Sequence, residues 1–135
     1  MLNPFPDLLV LGFFAPTLLR AVSGILFFYL ANIHLKRERA AITNALAPHS
    51  GGRVSQLIVL IGALEIIVGT SLVAGFYTQL AALAGLLLAV AFLVMRKKYG
   101  PAIPFLGSPF YVLLAVVCAS LLLSGAGAIA FDLPL

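Results

Sequence analysis

The sequence predicts an all-α fold, an integral membrane bundle of four helices forming one domain over residues 1–135. Three observations predict it. Of the 135 residues, 63% are hydrophobic and only 9% charged, and the mean hydropathy of +1.19 lies far above that of ordinary soluble domains. A water-soluble fold of this length cannot cover so much apolar surface, whereas lipid solvates it. The apolar residues gather into runs long enough to cross a bilayer. The basic residues fall in two short clusters between those runs, a pattern of membrane topology and not of a nucleic-acid-binding face.

The first apolar region runs from Leu8 to Leu35 and is broken by Pro16. Proline is tolerated in the first turn of a helix and disruptive in its interior, so the first helix is expected over 17–35, with Leu8 to Phe14 lying at the interface. The breaker Pro48-His49-Ser50-Gly51-Gly52 precedes the second helix, expected over 54–76 and about 35 Å long at 1.5 Å per residue. A tight turn at Gly75 to Thr78 leads to the third, expected over 79–95 and stopped by Arg96-Lys97-Lys98, whose long side chains reach back to the headgroups. After a proline-rich connection, Ser108 can cap and Pro109 can open the fourth, expected over 109–124. The start of the chain, Met1 to Asp7, lacks the basic region of a secretory signal, and we read the N-terminus as mature.

Lys36, Arg37, Arg39 and Arg53 flank the first connection and Arg96, Lys97 and Lys98 the third, while the second connection and the tail carry none. The positive-inside rule then puts these two connections in the cytoplasm and both termini outside a bacterial-type plasma membrane. Partners expected on these grounds are the bilayer, a protein docking on the basic loops, and further copies of the chain in a homo-oligomer; nucleic acid is not among them.

Small residues recur at helical spacing: Gly24 and Ala31 with Arg20 in the first helix, Gly62 and Gly69 with Glu65 in the second, and Ala81, Gly85 and Ala89 in the third. The fourth offers Ala115 and Ala119. Such stripes let backbones approach closely in lipid and should meet inside the bundle. Arg20 and Glu65 therefore face inward, because a charge left in hydrocarbon costs roughly 2.5–3.5 kcal/mol on insertion scales. Levelling the two helices at Lys36 and Arg53 puts Arg20 about 24 Å and Glu65 about 18 Å above that end, a gap two long side chains can close. The expectation is an intramembrane polar cluster of Arg20 and Glu65, joined by Asp132 from the tail. Two readings stand: the cluster fixes helix register, or it is a polar site for a proton or a quinone-like ligand.

The remaining reactive side chains read as structural. His34 and His49 fall at the end of the first helix and in the loop after it. Tyr29, Tyr77, Tyr99 and Tyr111 lie near helix ends as interfacial anchors. Cys118 is the single cysteine, which rules out an intramolecular disulfide, a CxxC redox centre and a thiolate metal cage, and no metal site is expected. It reads as a small buried residue of the fourth helix.

The pattern resembles the DoxX family of small four-helix bacterial membrane proteins. The likeness rests on Arg20 with Gly24, on Ile61-Gly62-Ala63-Leu64-Glu65-Ile66-Ile67-Val68-Gly69, on Gly75-Phe76-Tyr77-Thr78-Gln79-Leu80-Ala81-Ala82, and on Gly125-Ala126-Gly127 with Phe131-Asp132. It spans nearly the whole chain, from about Leu18 to Asp132. The family usually has basic residues where Gln79 and Ala128 stand, and its His-Gly-x-x-Lys-like end to the first helix is degraded here to Ala31-Asn32-Ile33-His34-Leu35-Lys36. The resemblance implies a membrane subunit loosely associated with redox systems, including thiosulfate to quinone electron transfer in some members. Function is accordingly expected to be that of an anchor or quinone-facing accessory subunit of a redox-linked membrane assembly, with no catalytic residues and no self-contained catalytic motif of its own. The competing readings are a small proton-coupled transporter using Glu65 and a non-catalytic assembly or scaffold protein.

Overall fold

The computed structural model describes residues 12, 14–37, 39–50, 53–99, 106–127 and 130–131. Among them the chain is helical throughout its regular structure: α1 (Ala15–Asn32), continued by a π-helical turn (Ile33–Arg37), then α2 (Arg39–Ser50), α3 (Val54–Ala74), α4 (Thr78–Tyr99) and α5 (Ser108–Ser124). Pro16 opens α1 and Pro109 opens α5, where their missing N–H groups leave no helical bond unmade. Gly75 ends α3 with a left-handed φ of 72°, and its N–H and that of Phe76 both close on the Ser71 carbonyl. This reverses the chain in three residues and starts α4.

Three segments are long and apolar enough to cross a membrane, Ala15–Arg37, Val54–Ala74 and Thr78–Lys98, while the apolar α5 is shorter. Burial runs opposite to that of a water-soluble bundle. Leu18, Ile25, Ile67, Leu80, Leu87 and Leu113 are exposed, whereas Arg20, Ser23, His34, Glu65 and Thr78 are buried. The core joins Phe27 and Leu30 of α1, Val68 and Leu72 of α3, Ala82, Ala89 and Phe92 of α4, and Tyr111, Leu114, Cys118 and Leu121 of α5.

α1 packs chiefly on α3, and α4 on α5. Glycine sets the first of these contacts. A Cβ built on Gly24 would lie 2.6 Å from Val73 Cγ2 and 2.9 Å from the Gly69 carbonyl oxygen, and one on Gly69 would lie 3.0 Å from the Gly24 oxygen. The two backbones thus touch where neither residue has a side chain. Further along, Leu35 covers Gly62, which fixes an antiparallel register.

In that register α1 ends short of α3. The first two turns of α3, 54–60, project past Arg37, and the segment read from sequence as a loop supplies the helix that covers them. Ile42 and Leu46 of α2 pack on Val54 and Ile58, with Met95 of α4 alongside. The four-residue spacing of Ile42 and Leu46 was the available sign of this helix, but two apolar residues among alanines and a proline read as a connection.

Candidate functional site: a buried His34 and Glu65 dyad

The one described carboxylate inside the bundle, Glu65, is fully buried, and its partner is His34. Nδ1 of His34 lies 2.8 Å from Oε1 and 3.0 Å from Oε2 of Glu65. With Glu65 ionised, the Nδ1–H donates to both oxygens; when the proton crosses, a Glu65 O–H donates to Nδ1. One proton is thus held between two groups in an apolar interior, where neither form of the pair is solvated by water. Phe92 stacks on the imidazole at 4.7 Å between centroids and 29° between planes, and Tyr111 lies against Phe92 at 5.6 Å and 33°.

Each member is delivered by a different element. Glu65 sits at mid-length in α3, on the stripe of Ile58, Gly62, Glu65, Val68, Gly69 and Leu72 that faces inward. His34 belongs to the π-helical turn that prolongs α1, a rare local geometry that recurs at functional sites. Phe92 comes from α4 and Tyr111 from the first turn of α5. The π-helical turn, α3 and α4 therefore meet at the pair, with Tyr111 of α5 backing Phe92.

The structure does not bring Arg20 and Glu65 together. The Arg20 guanidinium lies against Gly75, whose added Cβ would fall 2.7 Å from Arg20 Cζ, and Arg20 Nη1 donates a 2.8 Å hydrogen bond to the Ala126 carbonyl. Glu65 is ten residues back along α3 from Gly75, about 15 Å at 1.5 Å per residue. Levelling the helices at Lys36 and Arg53 placed α3 too high, because α3 starts about two turns beyond the end of α1. Asp132, the third member expected for that cluster, lies outside the described residues. Arg20 instead organises the opposite end of the bundle, where the tail also meets α1: a Cβ on Gly127 would fall 2.9 Å from Pro16 Cβ and 3.0 Å from Thr17 N.

The helix-packing glycines fall at element contacts: Gly24 and Gly69 on each other, Gly62 under Leu35, and Gly85 under Phe27 and Cys118. Cys118 is fully buried. Tyr29 and Tyr77 are exposed, but Tyr111, expected at the interface, is a core residue at 1% exposure. Its ring is aligned with Leu114, Cys118 and Leu121 along the buried face of α5, not with the Ala115 and Ala119 stripe. His34 was passed over although its signal was present. It lies fourteen residues from Arg20, two heptads along the stripe of Arg20, Gly24, Phe27 and Ala31, and so shares the inward face.

Comparison with family models, with curated proteins and with solved structures finds no match.

Proposed function

We propose that the chain is a membrane-embedded, DoxX-like accessory subunit of a redox-linked assembly, and that the His34 and Glu65 dyad is its proton-holding centre. The observation that carries this reading is the hydrogen-bonded pair of a buried carboxyl and a buried imidazole, with Phe92 stacked on the imidazole. The outward apolar faces and inward polar groups favour lipid as the solvent of α1, α3, α4 and α5. The basic residues at one end favour a cytoplasmic orientation for that end of a bacterial-type plasma membrane, with both termini outside.

The dyad is three residues from Arg37, hence within one helical turn of the basic end. From that position Glu65 and His34 can take a proton from, or return one to, the cytoplasmic side. Between the dyad and Arg20 the interior is filled by Phe27, Leu30, Val68 and Leu72, all nearly or wholly inaccessible. A proton reaching the dyad from the basic end meets this apolar stretch on the way to the opposite face, which weighs against the transporter reading and for proton exchange on one side only.

A lipid-soluble quinone is the group whose chemistry the dyad fits: reduction and oxidation of its carbonyls consume and release protons in step with electrons. The imidazole and carboxyl of this pair supply a hydrogen-bond donor and a proton acceptor in one place, and Phe92 and Tyr111 supply aromatic faces beside them. Electrons would pass to a partner subunit, since one buried cysteine is the only thiol in the chain.

The test is purification of tagged protein in mild detergent, with mass spectrometry of the proteins and lipid-soluble molecules retained, comparing the native chain with Glu65→Gln. A redox partner or quinone held by the native chain and lost from an equally monodisperse Glu65→Gln protein is the expected result. Recovery of neither from the native chain would leave the dyad a packing device and favour a scaffold.

A further inference from the structure

The basic end of the bundle has a geometry that the proton-holding centre does not use. Residues of α2 spaced over two turns, Arg39, Ile42 and Leu46, all meet the single stretch 54–58 at the start of α3: Ile42 and Leu46 pack on Val54 and Ile58, and Arg39 Nη2 donates a 2.8 Å hydrogen bond to Ser55 Oγ. α2 therefore covers the first turns of α3, the part that projects past the end of α1. Its apolar face is consumed by that packing, and Arg39, Ala40, Ala41 and Asn44 are left exposed.

Cations border this packing from three elements. Arg39 opens α2 and is held in place by Ser55; Arg53 stands at the cap of α3 and is exposed. Lys98 of α4 is exposed and three residues after Met95, the α4 residue that packs against the Ile42 and Val54 cluster, so helical spacing puts it on the same side. Glu38 is the only acidic residue in the sequence from Lys36 to Arg53 or from Arg96 to Pro109, against seven basic ones.

We infer that Arg39, Arg53 and Lys98, at the end of the bundle that α2 covers, form a binding site for the headgroup of an anionic phospholipid. α2 covers the projecting turns of α3, at the depth where the phosphate layer lies once α1, α3 and α4 span the bilayer. Guanidinium groups suit a phosphodiester because they can donate two parallel hydrogen bonds to it. The hydrogen bond to Ser55 orders Arg39 before the lipid arrives, reducing the entropy lost on binding. This site rests on membrane embedding and is independent of the chemistry at His34 and Glu65.

Native mass spectrometry of the full chain in nanodiscs containing equal parts of phosphatidylglycerol and phosphatidylcholine tests it, reading the ratio of the two lipids retained on release. The native chain should enrich phosphatidylglycerol. Arg39→Gln with Arg53→Gln should reduce that enrichment by about tenfold or more, because hydrogen bonds to a charged phosphodiester contribute about 1.5 kcal/mol or more. Lys36→Gln with Arg37→Gln removes the same charge from the end of α1 and should reduce it clearly less. Ser55→Ala, which changes no charge, should lower it by about twofold through loss of the ordering bond. Equal retention of both lipids by the native chain would overturn the site. So would equal losses in the two double variants, since net charge alone would then explain retention. Helical circular dichroism of each variant confirms that the bundle is folded, and a Glu65→Gln protein should retain lipid like the native chain, which separates this result from the fate of the proton-holding centre.

Discussion

Replacing His34 by Leu isolates the energetics of the dyad. The variant removes the group that Glu65 shares its proton with, at a site where Glu65 is fully buried and His34 is 2% exposed. A carboxylate left alone in hydrocarbon costs roughly 2.5–3.5 kcal/mol on insertion scales, and taking up a proton limits the penalty to about that size. Loss of the interhelical hydrogen bond adds about 1 kcal/mol. His34→Leu should therefore destabilise the bundle by about 3.5–4.5 kcal/mol, and Glu65→Leu, which strands an imidazole that can stay neutral, by about 1–2 kcal/mol. The double variant leaves no polar group behind, and leucine fills the space with apolar volume against Phe92, so it should fall within about 1 kcal/mol of the native chain. The resulting coupling of about 4 kcal/mol is roughly a thousandfold departure from additivity in the folding equilibrium. Steric trapping in bicelles or reversible unfolding in mixed micelles measures it. Additive effects of the two single substitutions would refute the reasoning, because they would mean that the two side chains do not hold each other in the folded bundle.

Gly24→Ala should cost about 1–3 kcal/mol in the same unfolding assay, since the added methyl meets the Gly69 backbone carbonyl and Val73→Ala cannot relieve that contact; Gly62→Ala meets only the movable Leu35 side chain and should be rescued by Leu35→Ala. Arg20→Gln should release the tail from the bundle, seen as faster hydrogen exchange of the amides over 125–127 with little change in α3 and α4; unchanged protection there would mean that the bond to Ala126 does not secure the tail. Cys118 is buried and should resist maleimide, so single cysteines report topology cleanly: Asn44→Cys should label only from the cytoplasmic side and Ser124→Cys only from outside, and the reverse would invert the orientation.

What the sequence disclosed and what it hid both follow from how lipid-facing helices are written. Inward placement of Arg20 and Glu65 was legible because lone charges in apolar runs have one affordable direction. Their separation was not, because the register of α1 on α3 depends on where α3 begins relative to the end of α1; the contacts of Gly24 on Gly69 and Leu35 on Gly62 set that offset, and the packing of α2 covers the turns it leaves projecting. Ile42 and Leu46 make that packing, yet a helix whose apolar face is two residues wide gives almost no periodic signal among the alanines around it. His34 was masked by its position beside Lys36 and Arg37, where a histidine reads as part of a basic loop. The heptad spacing from Arg20 was the stronger sign, and the π-helical turn keeps the residue inside the bundle. Tyr111 was masked in the same way: a tyrosine in the first turn of a membrane helix reads as an anchor, and only the opposing Phe92 shows that it packs inward.

If the His34 and Glu65 pair serves a lipid-soluble proton and electron carrier, photolabelling should place that carrier beside it. Membranes containing the native chain, Glu65→Gln or His34→Leu with Glu65→Leu would be irradiated with an azidoquinone, and the adducts located by peptide mass spectrometry. Adducts should concentrate on the last turns of α1 and the facing parts of α3 and α4, around Leu35 and Phe92, and should be strongly reduced in both variants and competed by unmodified quinone. Labelling scattered over exposed positions such as Leu18, Leu87 and Leu113, and equal in all three proteins, would contradict that role.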